Sequence, residues 1–192
     1  MFIWLTFVAG VVYPLFITVI SHLTMPQQAS GSFVEVNGRI VGSSCIGQKF
    51  TKPEYFWPRP SATDYNGLAS GGSNLGPLSF TLRQQVQTRR LLLMKACKVE
   101  DPKAVPPDLL FASGSGIDPH ISVEAALFQV RRIVDARKLD ASYVKILENM
   151  IQQSVHHKPL GCIGDAYVNV LELNVMLDYD TTVPRKLGTA AS

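Results

Sequence analysis

FIWLTFVAGVVYPLFITVISHL, residues 2–23, starts one residue into the chain and contains no Asp, Glu, Lys or Arg. Coiled into a helix, such a run spans about 33 Å, close to the roughly 30 Å hydrocarbon core of a bilayer. Thirteen of its residues are Leu, Ile, Val or Phe, and on an insertion scale these favour the membrane by about 4 to 8 kcal/mol. Gly10 and Pro14 weaken a helix in water but are tolerated in a membrane; Pro14 removes one backbone hydrogen bond and predicts a kink. A cleaved signal peptide needs a basic start and a shorter apolar stretch. A buried core helix seldom lacks a polar face for so long. The reading is a single transmembrane anchor over residues 2–23.

Charge is partitioned accordingly. The first charged residue is Glu35, and charged residues make up only 17% of the 192, against about a quarter in an ordinary soluble domain. Eighteen basic residues against fifteen acidic ones give a formal net charge of +3. The densest basic cluster, Arg89-Arg90 with Lys95 and Lys98, lacks the long stripe and interleaved aromatics of a nucleic-acid binder, and reads as a solvated helix face. Orientation stays open on charge alone, because only Arg39 lies near the outer flank.

Residues 24–32 form a polar, breaker-rich connector, and residues 33–180 a soluble domain followed by a flexible tail over 181–192. Asn37-Gly38 between Phe33–Val36 and Arg39–Gly42 is the strongest short signal for a hairpin. Ser43 to Gly76 is rich in Gly, Pro, Ser and Asn yet carries Tyr55, Phe56, Trp57 and Tyr65. It reads as neither helix nor strand, and long loops in compact domains are usually functional. Pro77 opens a helix to about Lys98, and Asp108–Ala112 is a short buried element. Ser122 caps a helix to about Arg137, Asp140 caps another, and Val168–Asp178 is part strand, part helix. The soluble part is therefore α+β or α/β, without internal repeats.

Chemical motifs are sparse. Gly42–Lys49 has Gln48 where a phosphate-binding loop requires lysine. Around Ser115 the Gly-x-Ser-x-Gly spacing of a nucleophile elbow fails, although Asp118 and His120 keep a membrane-tethered hydrolase among the alternatives, beside an extracytoplasmic ligand-binding module. His156 and His157 are adjacent and point apart on a helix, so no metal ligand set is assigned. Cys45, Cys97 and Cys162 match no redox or metal spacing and read as small part-buried hydrophobes. Tyr55-Phe56-Trp57 suits either a core or a docking surface.

Three blocks carry a resemblance. The first is Ile46-Gly47-Gln48-x-Phe50 with Tyr55-Phe56-Trp57-Pro58-Arg59-Pro60-Ser61-Ala62-Thr63 and Tyr65-Asn66. The second is Ala69-Ser70-Gly71-Gly72-Ser73-Asn74-Leu75-Gly76-Pro77. The third is Ala112-Ser113-Gly114-Ser115-Gly116-Ile117-Asp118-Pro119-His120-Ile121-Ser122, with Ala125-Ala126 and Gln129-Val130 behind it. Gly161, Gly164, Val168–Leu171 and Leu173-Asn174 also fit. Together they resemble the C subunit of the Kdp potassium-transporting P-type ATPase. Pro58 departs from the small residue usual there, the N-terminus is short, and Cys45 and Cys162 replace aliphatic residues.

The resemblance implies a single-pass protein of the bacterial inner membrane, N-terminus cytoplasmic and soluble domain extracytoplasmic. Its implied partners are a potassium-translocating A subunit, an ATP-hydrolysing B subunit, a small F peptide and membrane lipid, with no nucleic acid. It implies a subunit that is not itself an enzyme and acts as a catalytic chaperone raising the pump's ATP affinity. No intrinsic cofactor is expected, only ATP bound transiently together with the pump subunit. The candidate contact loops, for a partner or a nucleotide, are Ser70, Gly71, Gly72, Ser73 and Asn74, and then Ser113, Gly114, Ser115, Gly116, Asp118 and His120.

Overall fold

A computed structural model of the chain describes residues 1–157 and 164–179; Gly161, Cys162 and the 181–192 tail lie outside these. The leading apolar run forms one helix, α1 (Phe2–Thr24), with no buried residue along it. Its length and composition suffice to cross a membrane. Ahead of Pro14, the turn over Val8–Val12 widens to π-helical geometry, a common way for a helix to take up a proline's missing donor. Thr6, Thr18, Ser21 and Thr24 each donate to the carbonyl four residues back at 2.8–3.0 Å. Polar side chains on an apolar helix thereby satisfy themselves locally.

The chain divides into two compact units, Met1–Cys45 and the residues from Ile46 onward. In the first, α1 is followed by a short helix, α2 (Pro26–Ala29), and an antiparallel hairpin of β1 (Phe33–Val36) and β2 (Arg39–Ser43). Asn37 and Gly38 turn it with φ of 52° and 75°, the two positive values that this tight turn demands. Ser43 Oγ donates to Gly31 O and Ser44 N to Ser32 O, tying the hairpin to its connector.

The second unit is built on α3 (Phe80–Cys97), β3 (His120–Ser122), α4 (Val123–Arg137), α5 (Tyr143–Gln153), β4 (Tyr167–Asn169) and α6 (Val170–Tyr179). Strands β3 and β4 pair antiparallel. Among the described residues the molecule is thus α+β: helices with two small two-stranded sheets. Helix α4 is central, burying Ala125, Ala126, Val130, Ile133 and Val134 against Leu147, Met150 and Ile151 of α5 and Leu173 and Leu177 of α6.

Local chemistry explains most boundaries and two departures. Ser122 Oγ accepts from Ala125 N, so α4 starts where a capping serine places it. Helix α3 begins at Phe80, not Pro77, because Ser79 takes the cap position and accepts from Leu82 N. Asp140 does not cap α5: its carboxylate accepts from Ser142 Oγ instead, and the helix begins at Tyr143. Between Ser43 and Phe80 there is no regular element, as the composition of that stretch predicts.

Candidate functional site

The irregular segment has no ladder to satisfy its backbone, and side chains from the helices take that part. Gln129 of α4 accepts from Trp57 N at 2.7 Å and donates to Trp57 O at 3.1 Å. Asn174 of α6 does the same for Phe56, accepting at 2.8 Å and donating at 3.0 Å. Arg132 donates to Pro53 O and Tyr55 O, and Arg137 to Glu54 O. Five consecutive residues are gripped in this way, and the Phe56 ring is drawn fully into the core. Phe56 is core, whereas Tyr55 and Trp57 stay half-buried against it.

Arg132 is itself buried, and among the described residues no carboxylate faces it. Burial pulls its guanidinium down to about 10. Carbonyl dipoles, Gln129 Oε1 at 2.6 Å and the Trp57 ring 3.8 Å beneath it carry the charge instead. Arg137 has a carboxylate, Asp178, at 2.6 Å. Asp178 also accepts from the Tyr55 hydroxyl, and burial first, then that bond, pushes the phenol up to about 12.

Beyond Trp57 the chain enters the loops that the sequence singles out, and they interlock. Ser61 Oγ accepts from Thr63 N and Tyr65 N and donates to Gly116 O at 2.5 Å. Ser113 N donates to Pro60 O, and Gly71 N and Ser70 Oγ both donate to Ser115 O, at 2.8 and 2.9 Å. The approach is closest at glycines. Gly116 has φ +72°, and a Cβ there would meet Gly71 O and Thr63 Oγ1 at 2.6 Å. A Cβ on Gly72 would stand 3.0 Å from Gly114 O, and one on Gly47 would stand 2.6 Å from Asp118 O.

The two candidate loops therefore form one surface. Ser113 and Gly116 are buried in its base, Gly71 and Gly72 are half-buried, and Ser70, Ser73, Asn74, Gly114 and Ser115 are exposed. Asp118 anchors the edge: it pairs with Arg59 at 3.0 Å and accepts from His120 N at 3.0 Å, with His120 Nδ1 at 3.4 Å. Burial raises this carboxyl, but the His120 bonds and the Arg59 charge outweigh it and hold the group below its ordinary value. Tyr65 donates to Arg59 O, and burial pushes its phenol upward.

Among the described residues Ser115 and His120 share no hydrogen bond. Ser115 Oγ accepts from Ile117 N, and the His120 ring packs on Tyr167 at 4.4 Å. His156 stacks on the same tyrosine at 5.1 Å and lies 3.3 Å from Glu172, while His157 is exposed. Among the described residues, no group of three His, Cys, Asp or Glu is placed to hold a metal. Cys97 is buried beside the Arg132 guanidinium, but Cys45 is exposed just past the hairpin, its N–H donating to Ser43 Oγ. Sequence reasoning did not single out Arg132 and Arg137. The available signal was a pair of cations on the otherwise apolar core side of α4.

The family model for the K+-transporting ATPase c chain, KdpC, matches residues 1–179. That span includes the anchor, the clamped aromatic segment and both interlocked loops. The chain belongs to the KdpC family. A potassium-transporting ATPase KdpC subunit of Janthinobacterium sp. (strain Marseille) is 49% identical over 183 residues, covering 92% of this chain and 93% of the relative. The one from Leptospira interrogans is 46% identical over 174 residues, covering 91% and 87%. That of Dechloromonas aromatica is 46% identical over 181 residues, covering 93% of each. Family membership makes the chain a component of a potassium-transporting ATPase and implies further subunits around it, with α1 long and apolar enough to cross their membrane.

Proposed function

We propose that this KdpC-family chain is a non-catalytic accessory subunit, held by α1 in the bacterial inner membrane with its N-terminus cytoplasmic and its second unit extracytoplasmic. It supports assembly with the potassium-translocating A subunit, the ATP-hydrolysing B subunit and the small F peptide. In that assembly it raises the pump subunit's affinity for ATP, the nucleotide staying on the pump. A domain on the far side of the bilayer does not reach cytoplasmic ATP, so the coupling runs through the helix or through the other subunits.

The observation that carries this reading is the locking of 70–72 against 114–116 through close main-chain contacts. A docking surface gains affinity when its loops are ordered before the partner arrives. Here, main-chain contacts and glycines hold the loops, leaving Ser73, Asn74, Gly114 and Ser115 outward.

Ser73→Lys with Gly114→Lys tests it. Ser73 is exposed, and a Cβ on Gly114 meets nothing within 4 Å, so the chain keeps its thermal midpoint. Co-purification of the other subunits from membranes should drop at least several-fold. Full recovery of the complex with both lysines in place removes these loops from the interface. Separately, the complex lacking this chain should show a raised KM for ATP; an unchanged KM rules out the chaperone role.

A further inference from the structure

A cleft of about 460 Å³ opens beside the clamped segment, within the second unit. Its walls are mostly apolar: Phe50, Trp57, Pro58, Leu92 and Leu109. Three cations reach it, Lys49, Arg59 and Arg89. Two are already neutralised, Lys49 by Asp64 at 2.6 Å and Arg59 by Asp118 at 3.0 Å. Arg89 is different: among the described residues it meets no carboxylate, and its one hydrogen bond goes to Leu110 O at 2.8 Å. A guanidinium carries five donors, so most of Arg89's hydrogen-bonding capacity is unspent. Burial also pulls its charged form down, a cost that a neighbouring anion would offset.

An apolar cleft of this size with a few convergent polar groups has the character of a small-molecule site. The walls argue against a bare inorganic anion, which would gain nothing from Trp57 or Leu92. The unpaired cation argues against a neutral hydrocarbon. We propose that the cleft binds an amphiphilic organic anion, its acidic head on Arg89 and its apolar body along Trp57 and Leu92. This chemistry has two sources, an acidic phospholipid of the surrounding membrane or a free apolar anion.

The test uses the full chain with Trp4→Phe, so that Trp57 is the remaining tryptophan, in nanodiscs of phosphatidylcholine. Hexyl phosphate should shift Trp57 emission saturably, and inorganic phosphate should not. Arg89→Gln should weaken binding at least tenfold, and Arg89→Lys should restore part of it. Because Arg89 also holds Leu110 O, a second variant is needed; Leu92, 60% exposed, supplies it. Leu92→Glu sets a like charge at the mouth without disturbing a buried contact and should weaken binding comparably. Nanodiscs containing phosphatidylglycerol separate the sources: a reduced apparent affinity for hexyl phosphate assigns the site to lipid, an unchanged one to a free anion, and either supports the site. No saturable shift, equal saturation by inorganic phosphate, or unaltered binding by both Arg89→Gln and Leu92→Glu overturns it.

Discussion

Gly116 and Gly71 face each other across the loop junction, yet only one of them has to be glycine. A methyl group on Gly116 would sit 2.6 Å from Gly71 O at a φ of +72°, whereas one on Gly71 meets nothing within 4 Å. Gly116→Ala should therefore cost roughly 1 to 3 kcal/mol through a strained backbone and a forced separation of the loops. Gly71→Ala should stay within about 0.5 kcal/mol, and thermal unfolding of the pair makes the comparison. Asp118 gives a pH signature on the same junction. Its carboxyl is held below the ordinary value, so the unfolded chain takes up the proton first as pH falls. Its stabilisation is complete above the unfolded value, about pH 4, and is lost on further acidification through the folded one. Thermal midpoints measured from pH 5 to pH 2.5 should fall less steeply for Asp118→Asn than for the wild type.

At the scale of elements, the distinctive feature is a long connection that behaves as structure without being a strand or a helix. Residues 53–57 make their main-chain bonds to Gln129, Arg132, Arg137 and Asn174 instead of to a neighbouring strand. Gln129 is fully buried and serves both polar groups of Trp57. Gln129→Leu keeps the volume but leaves those groups and one side of Arg132 unpartnered. The expected loss is about 2 to 4 kcal/mol, since each orphaned buried group costs about 1 to 3 kcal/mol. Denaturant unfolding followed at Trp57 in a Trp4→Phe background reads it, and an unchanged midpoint would show that water replaces the clamp.

Two physical regimes meet in the whole molecule. The first unit's helix is apolar on every side and buries nothing within the chain, so its free energy comes from lipid. The second unit has a closed core under α4, with polar side chains turned inward to serve one irregular segment. Val12→Arg sets a charge near the middle of α1 and should disfavour insertion by about 3 kcal/mol. Carbonate-washed membranes should then retain less of the chain, while the Trp57 emission of the recovered protein stays native. Equal retention of wild type and variant would mean that partners, not lipid, hold the chain in place.

What the amino-acid order determined alone was whatever rests on local periodicity or composition. The anchor, the Asn37-Gly38 turn, the Ser122 cap and the part-strand, part-helix character of Val168–Asp178 each depend on residues within a few positions of one another. The helix starts at Phe80 and Tyr143 were less legible, because competing caps such as Ser79 and Asp140 differ by small energies that neighbouring hydrogen bonds decide. Motif resemblance pointed to the Gly-Ser loops as a place of interest, but not to their locking together. That pairing, the grip of Arg132 and Arg137 on residues 53–55, and the unspent donors of Arg89 join positions tens of residues apart. Only the tertiary structure decided these, because a buried polar group is satisfied by whatever the fold places within 3 Å of it, and sequence spacing carries no record of that distance.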